Sequence, residues 1–94
     1  TMVVMTVFNE SLLGSSQKIA ESLRKVGINT DLYPDPTAKL EKQLKYADNK
    51  GVPFVIIQGP EEKEKDIVKM KNMQTKEQFE LTLDDVIRKL TIDN

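Results

Sequence analysis

The chain has 94 residues, a formal net charge of −1, and 38% hydrophobic and 31% charged residues. These values describe one soluble globular domain with one core, neither a disordered chain nor a globally basic nucleic-acid binder. Cysteine and histidine are both absent, which excludes disulfides and thiol chemistry and removes the commonest general base and metal ligand.

The chain opens Thr1-Met2 rather than at a methionine, which suggests a piece of a longer protein. No apolar run reaches the roughly 18–20 residues of a membrane span, and there is no signal-peptide pattern. Residues 3–8, VVMTVF, read as a strand buried on both faces. Asn9 can cap the helix that follows, in which Leu12, Ile19, Leu23 and Val26 recur at helical spacing until Gly27 ends it. Gly14 inside this helix costs about 1 kcal/mol against alanine, so a loosely wound first turn is expected. INTDLY (28–33) alternates as a strand with unlike faces, and PDPT (34–37) breaks the chain. A helix is expected from Ala38 to Lys50, then a second continuous apolar strand, VPFVIIQ (52–58), and a charged turn, GPEEKEKD (59–66). In IVKMKNM (67–73), Val68 and Met70 point one way and Lys69, Lys71 and Met73 the other. After the turn QTKE comes a short strand, QFELTL (78–83). Thr82 caps a last helix, with Asp85 at its third position, and Val86, Ile87 and Leu90 face the core.

The order is β-α-β-α-β-β-β-α. Strands joined through helices are parallel with right-handed crossovers, and the short turn at 59–66 makes the fourth strand antiparallel to the third. The fold class is therefore α/β: a five-stranded mixed sheet covered by three main helices. The whole chain is a single domain, 1–94.

Few chemistries fit. NESLLGSS after the first strand is not a glycine-rich phosphate loop. The acidic cluster Glu61, Glu62, Glu64 and Asp66 alternates with lysines and reads as a solvated loop. No catalytic residues and no metal ligands are expected. The second helix carries more information. Leu40, Leu44 and Ala47 make its core stripe. Lys39, Gln43, Tyr46 and Lys50 make a second stripe beside it, with Glu41 and Asp48 on the opposite flank and Lys42 and Lys45 outside. Spacing alone allows two uses: a solvated flank with Tyr46 half buried, or a surface that holds phosphates and stacks unpaired bases. Lys69 and Lys71 share a strand face that allows the same two uses. Ligand sites in open α/β sheets gather at the C-terminal ends of parallel strands, where the 34–39 loop and the 58–64 turn meet.

GINTDLYPDPTAKLEKQLKYADNKGVPFVIIQGPEE, followed by VKMKNMQTKEQ, closely resembles the C-terminal anticodon-binding domain of histidyl-tRNA synthetases, over essentially the whole chain. The resemblance implies a three-layer α/β/α fold with strand order 2-1-3-4-5 and strand four antiparallel. It implies a module that grips the tRNA anticodon stem-loop beside a catalytic domain of the same parent chain. That parent would be a homodimeric cytoplasmic histidine–tRNA ligase using ATP with magnesium, whereas this domain needs no cofactor. The implied RNA contacts are Thr37 and Lys39 before the second helix, Lys42, Gln43 and Tyr46 within the KQ-x-KYA run, Glu62 after strand three, and Lys71 on strand four. Lys76 stands where many relatives have glycine, which leaves that turn's type open, and Glu41 stands where relatives often carry a basic residue. The ATP- and histidine-binding motifs of the enzyme are not in these residues. A non-catalytic synthetase-like interaction or regulatory domain is the alternative, and a small-molecule-binding α/β domain a third reading.

Overall fold

The computed structural model describes residues 2–92. Its strands are β1 (Val3–Met5), β2 (Thr30–Leu32), β3 (Phe54–Ile57), β4 (Val68–Asn72) and β5 (Gln78–Leu81). They form one sheet in the order β2-β1-β3-β4-β5. β1 runs parallel to β2 and β3, whereas β4 is antiparallel to β3 and β5. The helices are α1 (Leu13–Lys25), α2 (Leu40–Lys50), α3 (Pro60–Glu64) and α4 (Leu83–Ile92).

Two-residue alternation along the strands builds two cores. Val3, Met5, Ile56, Val68 and Met70 pack with Ile19, Ala20 and Leu23 of α1 and with Val86 and Leu90 of α4. Val4, Val55, Ile57 and Met73 pack on the other face with Ala47, Leu40 and Leu44 of α2. The sheet is thus the middle of three layers, as expected. The split of β4 also holds: Val68 and Met70 are buried in the first core and Met73 in the second.

Local signals explain the helix ends. The Asn9 side chain accepts from the Leu12 N–H at 3.1 Å, and a 3-10 turn at Glu10–Leu12 leads into α1. Gly14 itself lies past this turn, in regular α1, and not in the loosened first turn expected for it. Gly27 (φ 88°) and Gly51 (φ 74°) take the left-handed conformation that closes α1 and α2. Thr82 Oγ1 accepts from the Asp85 N–H at 3.2 Å, as its position predicts.

Three further expectations need correction. Val26 is not a core residue: α1 stops at Lys25, the chain turns through Gly27, and the Val26 side chain is 46% exposed. Ile28 carries the chain back into the core instead. The charged turn at 59–66 contains α3, for which Pro60 at the first position and Glu61 and Glu62 in the first turn are favourable. The first strand is shorter than its apolar run: Thr6 and Val7 stay buried past its end, but Phe8 is 43% exposed. The open question at Lys76 is also answered. It adopts φ 66°, the left-handed region in which a glycine is unstrained.

Candidate nucleic-acid interface

The C-terminal ends of the parallel strands bring four segments together: Phe8 beyond β1, the 34–39 loop beyond β2, Gly59 and α3 beyond β3, and the start of β4. A buried amide organises this edge. Gln43 Oε1 accepts from the Val7 N–H at 2.8 Å, and Nε2 donates to the Val7 carbonyl at 2.8 Å and the Ala38 carbonyl at 2.9 Å. Gln43 is completely buried. It therefore leaves the set of RNA contacts, because its polar atoms are spent inside the fold and no surface of it faces solvent. It joins Leu40, Leu44 and Ala47 on the buried side of α2, and the outward stripe loses its amide.

Thr37 and Lys39 are exposed in the loop before α2. Asp35 Oδ1 accepts from the Thr37 N–H at 2.9 Å and from its hydroxyl at 2.6 Å. These two bonds hold the Asp35 carboxyl below its ordinary pKa, with a smaller contribution from the Lys42 charge. The loop is thus a hydrogen-bonded turn, and Lys39 is the extended residue at which α2 begins.

On the outer side of α2, Lys42 and Tyr46 meet Tyr33, Lys45 and Asn49 around a shallow recess of about 280 Å³. Tyr46 is 37% exposed and stands edge-on to Tyr33, with ring centroids 5.3 Å apart. Lys50 does not offer a free cation here. Its ammonium is paired with Asp31 and donates to the Tyr46 hydroxyl at 3.2 Å, bonds that raise its pKa.

Across the edge, Glu62 faces inward. Its Oε1 accepts from the Gly59 N–H at 2.8 Å, capping α3, and its Oε2 lies 3.8 Å from Lys69 Nζ. The register decides which lysine reaches the rim. Lys69 sits opposite Ile57, the last residue of β3, whereas Lys71 sits opposite Val55, one side-chain row back. The sequence pattern placed both lysines on one face but could not rank them, because pairing register is a tertiary property. Phe8, read as strand interior, was missed altogether. It shares a recess of about 420 Å³ with Gly59, Pro60, Glu61, Glu62 and Lys69. The structure therefore forms two clusters, one around Tyr46 and one around Phe8, with the Thr37–Lys39 segment on a separate stretch of loop.

This arrangement of lysines, rings and a carboxylate suits single-stranded RNA. A family model described as an anticodon binding domain matches residues 1–92. The chain belongs to the anticodon-binding domain family. The domain is 40% identical over 90 residues to a histidine–tRNA ligase of Cytophaga hutchinsonii, covering 96% of the chain and 20% of that relative. Its matches span 14% to 20% of the length of the curated relatives. Among solved structures it is similar to the histidyl-tRNA synthetase from Nostoc sp. PCC 7120, with a TM-score of 0.92 and 27% identity over 99% of this chain and 22% of that one. It also shares the fold of the RNA binding domain of threonyl-tRNA synthetase from Cryptosporidium parvum, with a TM-score of 0.86 and 19% identity. Among the described residues of the domain, no helix is long and apolar enough to cross a membrane.

Proposed function

We propose that this domain recognises the anticodon stem-loop of the histidine tRNA on behalf of a histidine–tRNA ligase. The observation that carries this reading is the 40% identity to a histidine–tRNA ligase across 96% of the chain. The exposed lysines and rings at the sheet edge support it. In this reading the catalytic domain lies on the same parent chain, which works as a homodimer in the cytoplasm. ATP and magnesium belong to that catalytic domain.

Recognition divides between charge and base contacts. Lys39, Lys42 and Lys71 hold backbone phosphates, and Lys69 stands at the rim of the Phe8 recess. Thr37 and Tyr46 meet unpaired nucleotides. Glu62, already capping α3, offers its remaining lone pairs to base N–H groups. Lys39→Ala and Lys71→Ala should each weaken binding to an anticodon hairpin. Each should also flatten its salt dependence by roughly 0.7 to 1 in log–log slope, one phosphate contact's worth. Unchanged affinity and slope in both variants would overturn the phosphate assignment. The specificity test exchanges the histidine anticodon for another in the same hairpin. Glu62→Gln keeps an acceptor for the Gly59 N–H, so it separates the cap from base reading. It should narrow the discrimination between the two hairpins while leaving stability in place. A uniform loss for both hairpins would contradict a base-reading role.

A further inference from the structure

We infer that Phe8 is a stacking platform for one unpaired base of the RNA loop, an assignment that rests on the anticodon reading above. Of the five aromatic rings in the chain, Phe8 is the most exposed, at 43%. It lies just beyond the C-terminal end of β1, next to the residue that Gln43 fixes. Its exposure is not looseness. A Cβ on Gly59 would lie 3.2 Å and 3.3 Å from Phe8 Cδ2 and Cε2, so the glycine lets one edge of the ring rest close to the backbone. The rest of the ring opens into the recess shared with Glu61, Glu62 and Lys69.

The chemistry of that recess selects among the parts of a nucleotide. Two carboxylates beside the ring repel a phosphate, and a sugar offers no flat face to a ring. A base offers both a π-face for Phe8 and N–H donors at its edge for the carboxylates. Lys69 reduces the local negative charge that would otherwise oppose an approaching polyanion. A ring, an acceptor and a cation in one open recess thus match an unpaired base better than a protein segment.

The experiment uses the 94-residue chain, an RNA hairpin carrying the histidine anticodon loop, and versions of it with each loop base removed in turn. Phe8→Leu should weaken binding by about 5- to 100-fold, the usual effect of losing one stacked base. The salt slope should not change, because a ring releases no counterion. One abasic position should reduce binding of the unsubstituted chain but not of Phe8→Leu. Phe8→Trp should retain affinity, and its emission should be quenched by the hairpin and not by a fully paired duplex. If the unsubstituted chain does not bind the hairpin, the anticodon reading falls and the platform with it. If it binds and Phe8→Leu binds equally well, the platform alone falls. Weakened Phe8→Leu together with unquenched Phe8→Trp also overturns it and points to a protein contact for the ring.

Discussion

Replacing Gln43 with methionine keeps the length of the side chain and most of its volume but removes its amide. Three hydrogen bonds of 2.8, 2.8 and 2.9 Å are lost. Val7 is fully buried, so its N–H and carbonyl lose these partners where water cannot replace them. Ala38 is only partly buried, and its carbonyl can be hydrated. Each buried group left unpaired costs about 1–3 kcal/mol, and better burial of the thioether returns about 1 kcal/mol. The net expectation is a loss of about 2–4 kcal/mol. A domain of this size has about 5–14 kcal/mol in total, so the variant should fold with a melting temperature lower by roughly 10–25 °C. Urea unfolding followed by far-UV circular dichroism measures it, and the slope of the transition should be unchanged. A loss below about 1 kcal/mol would refute the assignment of Gln43 as the organiser of the edge. Gln43→Glu adds a test of sign. Its carboxylate still accepts from Val7 but faces two carbonyls it can no longer donate to. The fold therefore favours the protonated form and raises that pKa, so the penalty should shrink as pH falls from 7 to 4.

Lys76→Gly should stabilise the domain by about 1 kcal/mol, because Lys76 sits at positive φ. Its exposed pairing with Asp48 at 3.9 Å is of a kind that contributes little. Chemical denaturation checks this, and a loss of stability would mean that the pairing outweighs the backbone strain. Thr37→Val should move the Asp35 pKa back up toward 3.8, since the Thr37 hydroxyl is the largest cause of its depression. A depressed carboxylate stabilises the fold above its unfolded pKa, and that contribution is lost as pH falls through the folded value. Carboxyl NMR titration of both proteins reads the change directly, and identical titration curves would count against the hydrogen bond. Gly59→Ala should cost about 1 kcal/mol, because its Cβ would lie 2.9 Å from Glu62 Oε1 and displace the cap of α3. A thermal melt equal to that of the unsubstituted chain would show that Glu62 gives way freely.

The sheet was legible because its signals are local. Apolar runs at β1 and β3 and alternation at β4 report burial on two faces or one, and the helices between them set strand direction. α3 was not legible, since five residues are too few to show a helical period and its charges resemble those of a solvated turn. Val26 was misread because the apolar periodicity continues one residue past the end of α1 at Lys25. Gln43 was misread for a different reason. Pattern reading assigns an amide to the polar side, yet this one is satisfied by Val7, 36 residues away, and sequence spacing carries no information on that contact. The same limit hid the ranking of Lys69 over Lys71, which depends on a register between strands.

The KQ-x-KYA run therefore mixes two kinds of residue that resemblance alone cannot separate. Lys42 and Tyr46 face outward around a recess, whereas Gln43 and Ala47 are buried. The buried pair still bears on recognition. Gln43 bonds Val7 and Ala38, and the next residues in the chain are Phe8 and Lys39. One amide thus sets the spacing between an aromatic ring on one segment and a cation on another. An RNA-binding defect on substituting Gln43 would consequently be a positioning effect. It should weaken affinity for every hairpin alike, in step with the loss of thermal stability, a coupling that surface lysine and base-reading variants lack. A lysine variant changes the slope, and a base-reading variant changes discrimination. The three signatures differ, so hairpin binding read beside a thermal melt separates architecture, charge and base recognition at this edge.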